Sequence, residues 1–196
     1  MFLGFDGDIA AAGATSANTW LYEVPACIDR FWKHPDAEDA PGLFVSFPSL
    51  KDPTHHGKHT AEVMALCDAE AFAAWMGAEP AERDDSYRAF KAKVEQRLLA
   101  QFARHWPQLA AMVRFHELST PLSQRRFVRT PMGATYGLEM SAERIESTAL
   151  RIRTPVAGLL LAGQDVTVAG IYPSAMSGSE QPPRTRLRRG ASRAQA

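Results

Sequence analysis

Only one stretch of this chain, between Asp84 and Pro107, is long and periodic enough for an extended helix, and that limits what the rest can build. Tyr87, Phe90, Val94, Leu98 and Phe102 recur at steps of three and four residues, Asp84, Asp85 and Ser86 offer N-cap chemistry, and Pro107 ends the run. Either Phe90 or Lys91 can take the second place in that stripe, and the lysines and arginines between (Lys91, Lys93, Arg97, Arg104) fit a solvated outer face. About 20 residues are too few for the several heptads of a coiled coil, so the apolar stripe must lie on something else. The surrounding sequence offers a sheet. Pro25, Pro35, Pro41 and Pro48 cut it into short β-prone pieces: Trp20 to Val24, Gly42 to Pro48, Thr60 to Cys67 and Leu109 to Leu118. In the third, Ala61, Val63, Ala65 and Cys67 alternate with Glu62, Met64 and Leu66, a pattern expected of a strand packed on both sides. Thr120 or Ser119 should cap a short helix with Pro121 at its first position. Phe2 to Asp8, interrupted by Gly4 and Gly7, opens no recognisable unit. The expectation is an α+β fold with an antiparallel or mixed sheet.

Charge and composition narrow the function. The 22 basic side chains equal the 22 acidic ones and 45% of residues are hydrophobic, which excludes wholesale disorder and a polyelectrolyte role, so no nucleic-acid partner is expected. Five arginines after Ser179 face only Glu180, and Pro182 and Pro183 break any helix there, so 179–196 reads as a disordered basic tail. Cys27 and Cys67 stand apart in no CxxC pattern and lack a basic cluster, which fits reduced, non-catalytic thiols in a cytoplasm. Val156 to Ala162, the longest apolar run, is far short of the roughly 20 residues a membrane helix needs. His55, His56 and His59 are close enough in sequence to suggest a metal, but Lys51 and Lys58 lie among them and Pro53 and Gly57 mark an exposed loop; no metal is expected. Trp20, Tyr22, Phe44, Phe47, Trp75 and Trp106 suit either a core or a slot for a long apolar ligand.

The richest chemistry lies in Thr154 to Gly178. A strand expected over Ile152 to Asp165, with Leu159 to Ala162 as its apolar centre, closes at Gly163; Asp165 follows at its end and a helix should start near Ile171 behind Gly170. Small residues permit close approach of a ligand, and free N–H groups at a helix start attract negative charge. A plain strand-to-helix turn explains the same residues equally well.

The segment Thr154-Pro-Val-Ala-Gly-Leu-Leu-Leu-Ala-Gly-Gln-Asp-Val166, followed by Gly170-Ile171, resembles the C-terminal flavin-binding segment of the phytoene desaturase, carotenoid isomerase and retinol saturase group of flavin amine-oxidase-like oxidoreductases. Gly4 to Asp8, Ala17 to Tyr22, Phe47 to Pro53, Phe115 to Pro121 and Gly133 to Gly137 are similar to that group in the same order, so the resemblance runs from Phe2 to Gly178. It implies a partial flavin amine-oxidase-like fold: a substrate-binding portion over 1–127, with a mixed sheet and helices, and the last strand and helix of an FAD-binding domain over 128–178. It also implies that Asp165 hydrogen-bonds the ribityl or pyrophosphate part of FAD, with Gly163 and Gln164 alongside and the backbone of Gly170 and Ile171 facing the isoalloxazine ring. The loop Met132 to Tyr136 would approach flavin or substrate.

The GxGxxG fingerprint that holds the ADP half of FAD occurs nowhere in the chain, so the N-terminal Rossmann half is read as absent and the FAD site as incomplete. The implied function is that of a C-terminal fragment or subunit, inactive alone, of an FAD-dependent oxidoreductase acting on carbon–carbon double bonds of an apolar, carotenoid- or retinoid-like polyene. Desaturation, saturation and isomerisation all remain open, and no side chain is singled out as catalytic. An N-terminal half from another chain and a peripheral membrane contact are the partners this implies. The rival reading is a catalytically inactive remnant or interaction subunit.

Overall fold

A computed structural model describes residues 1–23 and 31–179. Val24, Cys27 and the basic tail beyond Ser179 lie outside the described residues. The chain divides into two compact units, Met1–Ala134 and a second from Thr135 onward.

The first unit is built on five strands: β1 (Phe2–Phe5), β2 (Thr19–Tyr22), β3 (Gly42–Ser46), β4 (Thr60–Met64) and β5 (Val113–Glu117). Their order is β2-β3-β4-β1-β5. Every ladder is antiparallel, so the mixed sheet implied by the resemblance is corrected. The segment that opened no recognisable unit is β1, which pairs with β4 on one side and β5 on the other. Its strand character comes from these partners: a four-residue stretch containing Gly4 has little local β signal of its own.

Helix α1 (Asp85–His105) begins where expected, with the Asp84 carboxylate accepting from Tyr87 N at 3.0 Å. It buries Tyr87, Val94, Leu98 and Phe102, the stripe read from the sequence. Val94, Leu98 and Phe102 pack against Leu3, Phe5, Leu43, Val45, Ala61 and Val63 from alternate positions of the strands. Gln101 is buried on the same helix without penalty, because its amide donates to Ala40 O and Glu23 Oε1 and accepts from Ala40 N. Burial of the helix therefore costs no unsatisfied polar group at this position.

Pro107 ends α1 but starts a short helix, α2 (Pro107–Ala111), so the strand expected from Leu109 is shortened to β5; Leu109 is a fully buried helical residue. Proline lacks an N–H and is pre-set for a first helical turn, so one residue both stops and restarts the helix. Helix α3 (Pro121–Val128) has Thr120 as N-cap and Pro121 at its first position, and Thr120 N donates to Ser123 Oγ. A smaller apolar cluster of Phe72, Met76, Tyr87 and Leu122 joins α3 to the turn Ala69–Trp75.

In the second unit, α4 (Ala142–Glu146) and α5 (Ile171–Ser179) are the helices among the described residues. The strand expected over Ile152 to Asp165 does not form: the segment folds back on itself at Gly158 (φ +81°) and makes only one isolated bridge, Arg153 to Leu160. Leu159 is half exposed. An apolar run becomes a strand only where neighbouring strands take up its backbone groups, and among the described residues none lies beside it.

Candidate functional site

Two features stand out, one in each unit. The first is the sheet face opposite α1. Directly paired residues share a face, so the ladders place Trp20, Tyr22, Phe44, Met64, Phe2 and Phe115 together on that side. Trp20 is 60% and Phe115 56% exposed, and Trp20 meets the Phe44 ring edge-on at 4.9 Å between centroids. Met64 is exposed as well, so β4, expected to be packed on both sides, is packed only on the side of Ala61 and Val63. Of the six aromatic residues noted in the sequence, Trp20, Tyr22 and Phe44 belong to this open face. Phe47 is in the core, Trp106 stacks on Phe102, and Trp75 packs against Tyr87 and Phe90. Monomeric proteins rarely leave aromatic side chains clustered in water without a binding role.

The second feature is the turn around Asp165. Asp165 Oδ1 accepts from Leu138 N at 2.9 Å and lies 3.8 Å from Arg144 Nη2. Arg144 is the centre of this cluster. Ser141 caps α4 and accepts from Arg144 N, which aims the guanidinium inward; the side chain is only 8% exposed and donates to Leu138 O, Glu139 O and Gln164 O. One side chain thus ties the 138–139 backbone to the 164–165 turn. Gly137 (φ +75°) makes the approach possible, since a Cβ there would stand 2.2 Å from Asp165 Oδ1. Gly163 N donates to the buried Ser177 Oγ of α5 at 2.8 Å, and Ser177 Oγ donates to Ser174 O, which fastens the turn to the helix. At the helix start, Ser174 N and Oγ both donate to Gly170 O, and Ile171 is 93% exposed.

Gly163, Gln164 and Asp165 are therefore gathered into one hydrogen-bonded turn, with Gly170 and Ile171 at the head of the helix that Ser177 ties to it. Gly137 had been noted as part of a motif without a role. Arg144 and Ser177 carry no signal in the sequence pattern, because the partners of Arg144 at Gln164 and Asp165 lie at least 20 residues away in sequence.

These groups are of a type that fits a polar cofactor such as FAD. Asp165 is 46% exposed and its Oδ2 has no hydrogen bond among the described residues, leaving an acceptor for a ligand hydroxyl. No neighbouring atom fills the space a Cβ would occupy at Gly163 (φ +121°). The first backbone N–H groups of α5 have no partner within the helix, as at any helix start.

The remaining candidates separate. His59 Nδ1 pairs with Ser49 Oγ and His55 Nε2 with Lys58 O, and no three His, Cys, Asp or Glu among the described residues stand close enough to share a metal. The Cys67 thiol donates to Trp32 O; burial, and then the Asp68 charge, push its pKa up to about 12, so it stays protonated and poorly nucleophilic. Met132 (φ +51°) precedes Gly133 (φ +70°), where a Cβ would strike Pro121 O at 2.1 Å; Tyr136 also has positive φ (+68°). Among the described residues no helix is long and apolar enough to cross a membrane.

An all-trans-retinol 13,14-reductase from Danio rerio is 24% identical over 192 residues, taking in 91% of this chain and 32% of its own length. The chain is similar to all-trans-retinol 13,14-reductases over most of its length. The human protein of that name is 28% identical over 169 residues, 80% of this chain and 28% of its own. A second Danio rerio protein, named an inactive all-trans-retinol 13,14-reductase, is 29% identical over 91% of this chain and 31% of its own. The chain thus spans about a third of the length of these relatives. No family model and no solved structure matches it.

Proposed function

We propose that this chain is part of an FAD-dependent oxidoreductase that acts on a carbon–carbon double bond of a retinoid-like polyene, and that its architecture is a portion of the flavin amine-oxidase-like fold. The carrying observation is the similarity to the 13,14-reductases. A match over 91% of the chain must include both the open aromatic sheet and the Asp165 turn. In this reading the open face of β1 to β5 receives the polyene, because a long apolar chain gains most from a long apolar surface that excludes water. Asp165 Oδ2 accepts from a ribityl hydroxyl, while Arg144 and Leu138 N hold the carboxylate in place. The backbone of Gly170 and Ile171 would face the pyrimidine edge of the flavin, where the helix start favours negative charge. FAD, when bound, supplies the two-electron redox chemistry.

The ADP-binding half of the FAD site lies outside these 196 residues, which span about a third of the length of the relatives. The assembly works in the cytoplasm, in peripheral contact with the membrane from which an apolar substrate is drawn. The test is co-expression with the polypeptide encoded immediately upstream. The purified complex should carry a flavin spectrum, all-trans-retinol should reoxidise the dithionite-reduced flavin, and Asp165→Ala should lower flavin content. A well-folded complex that holds no flavin overturns the reading. A second reading, an interaction subunit without catalysis, draws on the relative named inactive; it predicts flavin-free binding of a partner and no retinol turnover.

A further inference from the structure

The sequence is balanced in charge, but its arginines are not evenly partnered. Arg88, Arg97, Arg104 and Arg144 each form an ion pair with a carboxylate. Among the described residues Arg83, Arg125, Arg126 and Arg129 form none, like Arg114, Arg151 and Arg153, but these first four converge on one cleft of about 320 Å³ between the Pro80–Glu82 turn and the C-terminal end of α3. The cleft has a single carboxylate in its lining, Glu79, and it engages none of the four. Like charges gathered without counter-charge repel one another, and a protein holds them together at a cost that a bound anion removes.

Part of the arrangement has an ordinary explanation. Arg125 and Arg126 occupy the last turn of α3, where cations complement the helix dipole. That does not account for Arg83, which comes from a different element and faces the same space. Its Nε is buried and has no hydrogen-bond partner among the described residues, which costs free energy. Its guanidinium is held over the Tyr87 ring at 5.2 Å, and that of Arg126 lies 5.6 Å from the Phe127 ring centroid. Tyr87 is itself fixed by a hydrogen bond between its hydroxyl and Thr120 Oγ1 at 3.0 Å. Ring contacts of this kind limit the rotamers of two of the four long side chains before any ligand arrives, which lowers the ordering cost of binding.

We infer that this cleft is a binding site for a phosphate group. Guanidinium is the side chain whose planar fork best matches phosphate oxygens, and several of them around a small cleft favour a dianion or pyrophosphate over a single carboxylate. The phosphate can belong to a soluble molecule or to a lipid headgroup; the chemistry recognised is the same. The site lies wholly within residues 76–129 and does not depend on the flavin reading.

The test titrates the full chain with sodium pyrophosphate by calorimetry and, in parallel, floats it with phosphatidylcholine vesicles containing phosphatidic acid. Arg126→Gln, on an exposed position, and Arg83→Gln should each weaken binding about tenfold, the value of one charged hydrogen-bonding group. Arg88→Gln, in an exposed ion pair outside the cleft, should leave it unchanged. Arg83→Lys, which keeps the charge and loses the fork, should weaken it less than Arg83→Gln and guards against a folding defect, checked by circular dichroism. Variant-sensitive binding of pyrophosphate assigns the site to soluble phosphates, and variant-sensitive flotation without pyrophosphate binding assigns it to a lipid headgroup. Absence of both, or equal loss in Arg88→Gln, overturns the inference.

Discussion

The two units of this chain are held together in different ways. Every buried apolar side chain among the described residues lies before Thr135, while from Thr135 to Ser179 the only buried residue is the polar Ser177. The first unit has a core in the usual sense, with α1 and one sheet face closing on each other. The second keeps its shape through the Arg144 donors, the Leu138 to Asp165 bond, the Gly163 to Ser177 bond and glycines in left-handed conformations. Net hydrogen-bond contributions are about 1 kcal/mol each, whereas a buried large side chain contributes roughly 2 to 3 kcal/mol, so a segment of the second kind is specified in geometry but weakly stabilised. It leaves Tyr136, Ile145, Val156, Ile171 and Tyr172 exposed.

This contrast can be broken at several points. The largest effect is expected from Phe102→Ala, which empties the centre of the first core; chemical denaturation should record a loss of about 3 to 5 kcal/mol. A loss below 1 kcal/mol would mean that α1 does not hold the sheet. Gly137→Ala forces a Cβ into the Asp165 carboxylate at a positive φ, with a local cost of about 1 to 3 kcal/mol. Hydrogen exchange should quicken around 137–165 and leave the β1 and β4 amides untouched; quickening of both regions together would show one cooperative unit instead of two.

Arg144→Met removes the clamp while keeping bulk. The Leu138 amide should exchange faster by about tenfold, corresponding to one charged hydrogen-bond network of roughly 1.5 kcal/mol, and an unchanged rate would assign the turn's geometry to its glycines alone. The smallest effect belongs to the rim of the first unit. Glu23 has its pKa held below the usual 4.5 chiefly by the Gln101 amide, then by His105 and Arg104. A depressed carboxyl pKa adds stability that is present above the unfolded value and is lost as pH falls through the folded one. Glu23→Gln should therefore cost less than about 1 kcal/mol at pH 7, a loss that fades as pH falls below about 4.5, so that the acid limb of the stability profile flattens.

The same contrast explains what could be read from the sequence. The α1 stripe, its Asp84 cap, the Thr120 and Pro121 start of α3 and the alternation in β4 are local patterns of period 3.6 or 2, and the structure reproduces them. β1 escaped because its strand character is supplied by β4 and β5, far along the chain. The Ile152 to Asp165 run was misjudged because hydrophobicity signals burial only where a partner surface exists. At the Asp165 turn, Gly163, Gln164 and Asp165 were legible from motif resemblance, but the Arg144 clamp was not. No spacing rule connects Arg144 with Gln164 O and Leu138 O; only the folded backbone brings them together.

The position of β1 has one further consequence, for the order of folding. Phe2 pairs with both Glu62 and Glu117, so the middle of the sheet cannot close until a strand more than a hundred residues downstream has been made. Pairings of such long range are entropically slow to form. During that interval β1 has an unpaired edge, on the side that β5 later covers, in reach of other chains, which is the usual route to misassembly on or just off the ribosome. The sheet that is most stable once complete is therefore the part of this molecule most in need of protection while it is being synthesised.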